Sequence, residues 1–494
     1  MTQYRFHIVG QDTKFSTRSF TGFEALSTPY RFELELSSPQ LIEDVETLLW
    51  QSCEFKMSAA RERTVRGMVT EVAVTHKVNN EYFYTLTMQP AFWGLNKEIG
   101  CEVYLATTVI DCISDVLAKP RVGLQISFDM KVSETYEEQE IICKYNESSF
   151  HFVSRLMEHY GLYYYFEDQD GVEKLVITDN KIVHQKLEAD KYRYYGPTGL
   201  DQLERENTIS QFVQQRKIQS KNVLLKSYNY EKPDLEVEGV ASINDKGVGQ
   251  QYVYGEHFTV RKQGNMLAKL KAEQLNTQAN LCNAQAGDHQ MAPGGTFTLN
   301  GHFIADLNQD YLIVSVTHKG QAGSAENDLS YENTIECLST QYQYRCEEKT
   351  PKAKIVGLIN ATIDAAGSDP NKMMDDQGRY KVRLPFDLSN PNEGKASHWV
   401  RMLTDFSDSE GGVCFPLRKG TEVKLACEHG DPNRFVIVGA VTNPNTPSVV
   451  NETNVNDHVI KTPSGSTISM SDGPSSSEVH IFSGDGNSFI KITS

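Results

Sequence analysis

The segment Glu428-His429-Gly430-Asp431-Pro432 brings two carboxylates and an imidazole within four residues, the donor types used by a zinc ion or a general base. Zinc needs a further ligand at tetrahedral geometry, whereas Gly430 and Pro432 punctuate a turn. The segment is read as a turn. Asp375, Asp376 and Gly378 imitate the opening of a calcium loop, but no acidic residue follows at twelve-residue spacing and a strand pattern begins at once. A hairpin turn with Gly378 at positive φ is expected there.

Carboxylates also lie beside aromatic strands, in Ser38 to Asp44, in Tyr145-Asn146-Glu147 and in Phe166-Glu167-Asp168. A glycosidase pair would need a separation of about 5 to 9 Å across a groove, which spacing along the chain does not set. Phe150, Phe152 and the run Tyr163 to Phe166 are read either as a recognition surface or as core, since half of a strand's side chains face inward. Trp399, in a short strand, is read as core or subunit contact before ligand stacking. Nine cysteines without any Cys-x-x-Cys spacing predict buried reduced thiols rather than a disulfide framework or a thiolate zinc site. No metal, cofactor or catalytic residue is expected.

The elements that would position these groups are mostly strands. Residues 3–36 alternate, residues 41–50 have helical spacing, and two β runs in residues 64–90 meet across Asn79 and Asn80, a hairpin signal. Helices are predicted over 109–119, stopped by Pro120, and over 146–161, capped by Asn146 or Ser148 and ended by Gly161. A hairpin with Asp170 and Gly171 at its turn follows. Alternation returns near residue 205, a helix is predicted over 266–287, and strands fill the stretch to about residue 346. From residue 352, five short strands in about 90 residues fit a small closed barrel of the oligonucleotide/oligosaccharide-binding (OB) kind.

After Asn443 the chain is polar and turn-rich, then runs into His458-Val459-Ile460, Thr467-Ile468, Val479-His480-Ile481 and Phe489-Ile490-Lys491-Ile492. Such a segment has one apolar face and too little bulk to cover it, against roughly 1 to 2 kcal/mol of backbone entropy per residue. Three copies wound about one axis would cover each other's faces and satisfy each other's backbone hydrogen bonds. The stop at Ser494 within a strand pattern is read as a cut inside a longer repeat.

At 494 residues, about three domains are expected. The formal charge of −17 repels polyanions, so nucleic acid is not an expected partner. The start has no export-signal pattern, and no apolar run is long enough to span a membrane as a helix.

These residues together resemble the valine-glycine repeat protein G family, the trimeric spike of the bacterial type VI secretion system, itself similar to the fused hub and spike of contractile phage tails. The likeness rests on Tyr145 and Glu147, then Phe152, Arg155, Leu156 and Glu158, then Gly161, Tyr164 and Phe166; on Gly378 and Arg379; on Trp399 and Arg401; and on Gly430, Asp431, Pro432, Gly439 and Asn443. Phe435, where the family commonly has proline, and Lys419-Gly420 depart from the pattern.

The resemblance implies a mainly β fold: two hub β-barrels with small helices, an OB-fold barrel, and the start of an intertwined trimeric β-prism. The implied divisions are 1–204 and 205–350 for the hub, 351–443 for the OB barrel, 444–455 for a linker and 456–494 for the needle. Residues 444–455 leave no room for the lysozyme-like domain of phage relatives. The implied protein is not an enzyme. Its implied partners are two further copies of itself, a hexameric inner-tube protein and baseplate, a tip protein with proline-alanine-alanine-arginine repeats, and effectors or adaptors. It would be cytoplasmic before firing, then secreted through a target membrane. A glycan-binding or glycan-acting protein and a prophage tail hub are the alternative readings.

Overall fold

The computed structural model describes residues 3–58, 61–121, 123–196, 207–323, 330–369, 372–473 and 476–493. The chain divides into two compact units, Met1–Ala353 and Lys354–Ser494.

The first unit opens with β1 (Gln3–Ile8), β2 (Ser16–Ala25), β3 (Thr28–Ser38), β4 (Ser52–Ser58), β5 (Glu62–Val78) and β6 (Glu81–Gln89), paired in the order β1-β4-β5-β6-β3-β2. Strict alternation puts Phe20, Phe32, Leu34, Phe55 and Met57 on the inner face of this half-barrel. The β5–β6 hairpin turns at Asn79, whose φ of 52° suits an asparagine, as its sequence predicts.

The helix expected over 41–50 does not form; Val45–Leu48 makes one 3-10 turn, begun by Asp44 accepting from the Glu46 N–H at 3.2 Å. The chain is drawn elsewhere. Ile42 N–H bonds the Tyr84 hydroxyl at 3.0 Å, and Trp50, at φ 61°, donates to Val69 O at 2.7 Å. A segment this short gains too little from propagation to outweigh those tertiary bonds.

Next come β7 (Ile99–Thr107), α1 (Val109–Ala118), β8 (Phe128–Lys131), β9 (Gln139–Ser148), α2 (Ser149–His159), β10 (Tyr163–Gln169) and β11 (Val172–Thr178). Ser148, one of the two expected caps, accepts from the His151 N–H at 3.1 Å and starts α2. Gly161, at φ 74°, ends it, and the Leu162 N–H returns to Met157 O at 2.8 Å in a Schellman closure. Asp170 and Gly171 both have positive φ, the backbone of a two-residue hairpin turn.

The rest of the unit holds β12 (Gln185–Tyr194), β13 (Thr208–Gln214), β14 (Asn222–Ser227), β15 (Val237–Ser242), β16 (Gln250–Tyr254), α3 (Arg261–Ala279), β17 (Cys282–Ala286), β18 (Gly295–Asn300), β19 (Asp310–Gln321) and β20 (Ser330–Ser339). Strands β19-β18-β12-β13-β17-β20 close on themselves through the β19–β20 pairing. The two expected hub barrels are thus one half-barrel and one closed six-stranded barrel, joined edge to edge by β2 and β19.

The helix expected over 266–287 lies earlier, at 261–279, and Cys282–Ala286 is a barrel strand. Asn280 accounts for the break, donating its side-chain amide to Asn276 O at 2.7 Å. Beyond it the alternation of buried Cys282, Ala284 and Ala286 serves the barrel interior.

In the second unit, β21 (Leu358–Asp364), β22 (Lys381–Arg383), β23 (Arg401–Met402), β24 (Glu422–Cys427) and β25 (Phe435–Ala440) pair in the order β22-β21-β24-β25-β23. Tyr380 and Val400 exchange backbone bonds of 2.9 and 2.7 Å and close the ring. Ile363, Tyr380, Val382, Val423, Leu425 and Ile437 fill it. This is the expected five-stranded closed barrel.

The unit ends in β26 (Asp457–Lys461), β27 (Thr467–Gly473), β28 (Ser476–Phe482) and β29 (Phe489–Thr493), a four-stranded antiparallel meander. Its strands pair with one another within the chain, β26 and β29 with one neighbour each. Local turns do it, with Thr462 N–H on Ser466 O at 2.8 Å and Ser483 N–H on Ser488 O at 2.9 Å. The meander also leaves apolar side chains uncovered. Ile460, Ile468, Ile481 and Ile490 stand in one cross-strand row, flanked by His458, Met470, Val479 and Ile492 in the next. No described residue from 457 to 493 is buried.

Candidate functional site

Strand β9 and helix α2 carry most of the residues singled out from the sequence. Glu147 and Arg155 face each other across the strand-to-helix corner as a buried, two-pronged ion pair of 2.9 and 2.7 Å. Arg155 also donates to Cys143 O at 2.9 Å and lies 5.0 Å above the Phe152 ring. Tyr145 is partly buried. Phe152, Leu156 and Tyr164 belong to one apolar core, and Phe166 bridges it to the half-barrel core through Tyr30 at 5.2 Å. Of the aromatic run, Phe152, Tyr163, Tyr164 and Tyr165 are buried, and Phe150 and Phe166 partly so; these side chains are mainly core.

Glu158 ends this row with a different task. Burial raises its pKa, while its carboxylate accepts from Lys349 N–H at 3.1 Å and from the Thr350 N–H and hydroxyl at 2.8 Å. Sequence reasoning missed the rest of the anchor. Arg345 donates to Gly161 O at 2.8 Å, Asp179 O at 2.5 Å and Glu273 at 2.8 Å. Glu348 meets His159 at 3.1 Å and Lys271 at 2.8 Å; burial opposes its ionisation, yet these partners hold its carboxyl down at about 2. Residues 345–350, the strap that leaves the first unit, are thereby tied to α2 and α3. No spacing in the sequence signals contacts between residues so far apart.

A second polar set lies where the half-barrel meets the closed barrel. Arg63 of β5 grips Glu24 of β2 at 2.7 and 2.8 Å and donates to Met291 O at 3.1 Å. His318 of β19 places Nε2 at 2.8 Å from Glu24 and Nδ1 at 2.6 Å from the Tyr331 hydroxyl. Burial raises and Arg63 and His318 lower the Glu24 pKa, leaving it at about 2; burial lowers that of His318. The order Tyr-His-Glu has the form of a proton relay, but His318 is fully buried and Arg63 already neutralises Glu24. Its use is to pin two barrels together.

Beside this seam opens a cleft of about 770 Å³, lined among others by Tyr30, Arg66, Tyr165, Asp168, Glu173 and Lys186. Enclosure pushes Glu173 up to about 7, opposed by bonds from the Tyr30 hydroxyl and the Ala91 N–H. Of the carboxylates in the segments weighed for a glycosidase pair, Glu147 is held by Arg155 and Asp168 by Arg66.

In the second unit Asp375 accepts from the N–H groups of Gln377 and Arg379 at 3.0 and 2.8 Å and from Arg379 Nε at 2.7 Å, and Gly378 takes φ 74°. This is the predicted hairpin turn. Trp399 is partly buried under Lys381, whose Nζ lies 5.1 Å from the ring. Glu428 is clamped by Arg401 at 2.8 Å and Arg434 at 2.6 Å. His429, at φ 56°, and Gly430, at 78°, shape the turn, with Asp431 accepting from the Asn433 N–H at 2.9 Å and Pro432 buried. Gly439 lies in β25. Asn443 joins Glu422 at 2.8 Å and closes the turn to Thr446 at 2.9 Å.

Among the described residues no three His, Cys, Asp or Glu side chains are placed to hold a metal, and no helix is long and apolar enough to cross a membrane. The nine cysteines are free; six are buried and Cys414 is exposed.

The family model for the phage tail baseplate hub (GPD) matches residues 23–324. The chain is similar to the type VI secretion system spike protein VgrG1b of Pseudomonas aeruginosa, 27% identical over 436 residues, covering 85% of this chain and 58% of that protein. Of solved structures, the fold is similar to the E. coli c3393 protein, described as a type VI secretion component with structural similarity to the T4 bacteriophage tail proteins gp27 and gp5. That likeness has a TM-score of 0.61 at 21% identity over 88% of this chain and 100% of the other. It is similar also to the Francisella PdpA-VgrG complex, TM-score 0.67 at 10% identity, over 100% of this chain and 78% of the other. The chain spans about three fifths of the length of the curated relatives it matches first.

Proposed function

The chain belongs to the phage tail baseplate hub family, and on that premise we propose that three copies form the hub and puncturing spike at the tip of a type VI secretion inner tube. The observation that carries this reading is the isoleucine row of the terminal meander. It is an apolar face with no buried residue, on strands paired in register, which is what a strand bundle needs in order to pack against symmetry mates.

The first unit supplies one half-barrel and one closed barrel per chain, so three chains present six such elements to a hexameric tube protein. The anchored strap, residues 345–350, passes load from that unit to the chain beyond it. The second unit supplies the OB barrel and the rod, whose stiffness comes from paired backbone. Sheath contraction drives the assembly through a target membrane, after cytoplasmic assembly. The protein converts no substrate and needs no cofactor in this role. Its other partners are the baseplate, a tip protein with proline-alanine-alanine-arginine repeats, and effectors or adaptors.

Mass measurement in solution tests the reading. The chain is expected at three times 55.6 kDa, and a version ended at Asn443 at a lower association state. A full chain that stays at its single mass at all concentrations overturns the proposal. A prophage tail hub is the second reading, favoured by the family match itself; flanking genes for a phage head would decide for it.

A further inference from the structure

The OB barrel carries two exposed apolar features that its own unit leaves uncovered. The first is the hairpin that leaves β23, residues 403–416. It is closed by its own hydrogen bonds: Asp408 N–H bonds Gly411 O at 2.8 Å, Val413 N–H bonds Phe406 O at 3.0 Å, and the Thr404 hydroxyl donates to Val413 O. Yet Leu403, Phe406, Val413 and Phe415 are between 41% and 59% exposed. Together they present on the order of 300 Å² of apolar surface, the size at which such patches mark contacts. Among them stand Asp405, Asp408 and Glu410, with no lysine or arginine from 403 to 416.

The second feature is the outer face of β21, β24 and β25. Register lines up Leu358, Ala426 and Val436 across the three strands. Leu358 is 55% exposed and Val356, just before it, 91%. Lys354 is exposed at one end of the row, and along β24 the outward positions run from Ala426 to Lys424 and then Glu422, whose carboxylate accepts from Asn443.

We propose that the acidic hairpin of one copy docks on the lysine-edged face of the next copy, clasping the barrels head to tail into a closed ring. This rests on the trimeric reading above. The occupant is a second copy because one chain carries both halves of a match: apolar with carboxylates on one side, apolar with ammonium groups on the other. For a chain of net charge −17, self-association needs such local complementarity to overcome repulsion. A contact between two different patches closes a ring when its rotation returns to the first copy, as the threefold reading requires.

Site-directed cross-linking of the full chain tests it, because the hairpin already carries the exposed Cys414. Leu358→Cys is made with Cys101→Ser and Cys427→Ser, then oxidised with diamide, which takes up the two thiol hydrogens as the disulfide forms. Covalent trimers and a peptide joining positions 358 and 414 are expected. Cys414→Ser should abolish them, and Phe406→Ser with Phe415→Ser should lower the yield at least about tenfold. Val356→Cys serves as the second probe, and circular dichroism confirms each variant's fold. Trimers that give no joined peptide with either probe, or give it only within single chains, overturn the docking and leave the trimer standing. A wild-type chain that runs as a monomer overturns both.

Discussion

Replacing Ile468 and Ile481 with serine tests the physics of the terminal meander most directly. The two stand opposite each other on the central strands β27 and β28 and remain 44% and 41% exposed in the single chain. Full burial of an isoleucine is worth about 1.5 to 3 kcal/mol, so covering the exposed part is worth about 1 kcal/mol per site and chain. Threefold symmetry counts each site three times. The double variant therefore loses roughly 6 kcal/mol of association, about four orders of magnitude in the trimer dissociation constant. Sedimentation equilibrium over a wide concentration range reads this directly. The monomer barrels should be unaffected, because no residue of the meander is part of a buried core, and the thermal transition of the first unit is the control. If the variant trimerises at the same concentrations as the wild type, the isoleucine row is not the subunit contact and the argument from its exposure fails.

Glu147→Leu should destabilise the first unit by about 3 to 5 kcal/mol in urea unfolding, because it strands the buried Arg155 charge. Adding Arg155→Met should recover most of that loss. Glu173 holds a proton up to about pH 7 in the folded chain, whereas its ordinary carboxyl value is 4.5. The folded state therefore binds more protons between these values, and stability falls as pH rises through that window, by at most about 3 kcal/mol. Glu173→Gln should flatten the fall and match the wild type near pH 4, as thermal melts across pH 4 to 8 will show. Glu158→Ala removes the acceptor for Lys349 and Thr350. Amide exchange at those two residues should quicken by one to two orders of magnitude, an effect of about 1 to 3 kcal/mol, while exchange in the half-barrel stays unchanged.

Short-range chemistry was readable along the chain. Asn79, the Asp170-Gly171 pair and Gly378 mark turns because each backbone there enters the left-handed region. The start and stop of α2 follow from Ser148 and Gly161 for the same local reasons. The 41–50 segment misled because its apolar spacing satisfies a helix, while the decisive bonds, to Tyr84 and Val69, come from strands distant in sequence. The third helix was displaced because the small alternating residues at 282–286 suit a helix as well as a strand until a barrel offers them two neighbouring strands.

The sequence by itself determined the strand-rich architecture, the division near residue 350 as an expectation, and an apolar face at the end of the chain that its own bulk does not cover. Periodicity and turn residues act over a few positions, and these features need nothing more. Only the tertiary structure decided that one hub barrel closes while the other stays open, that Glu158 and Arg345 hold the exit strap, and that the terminal ladder pairs within one chain. Each of those depends on which distant donors and acceptors meet after burial, and a buried polar group takes whichever partner the fold brings within hydrogen-bond reach.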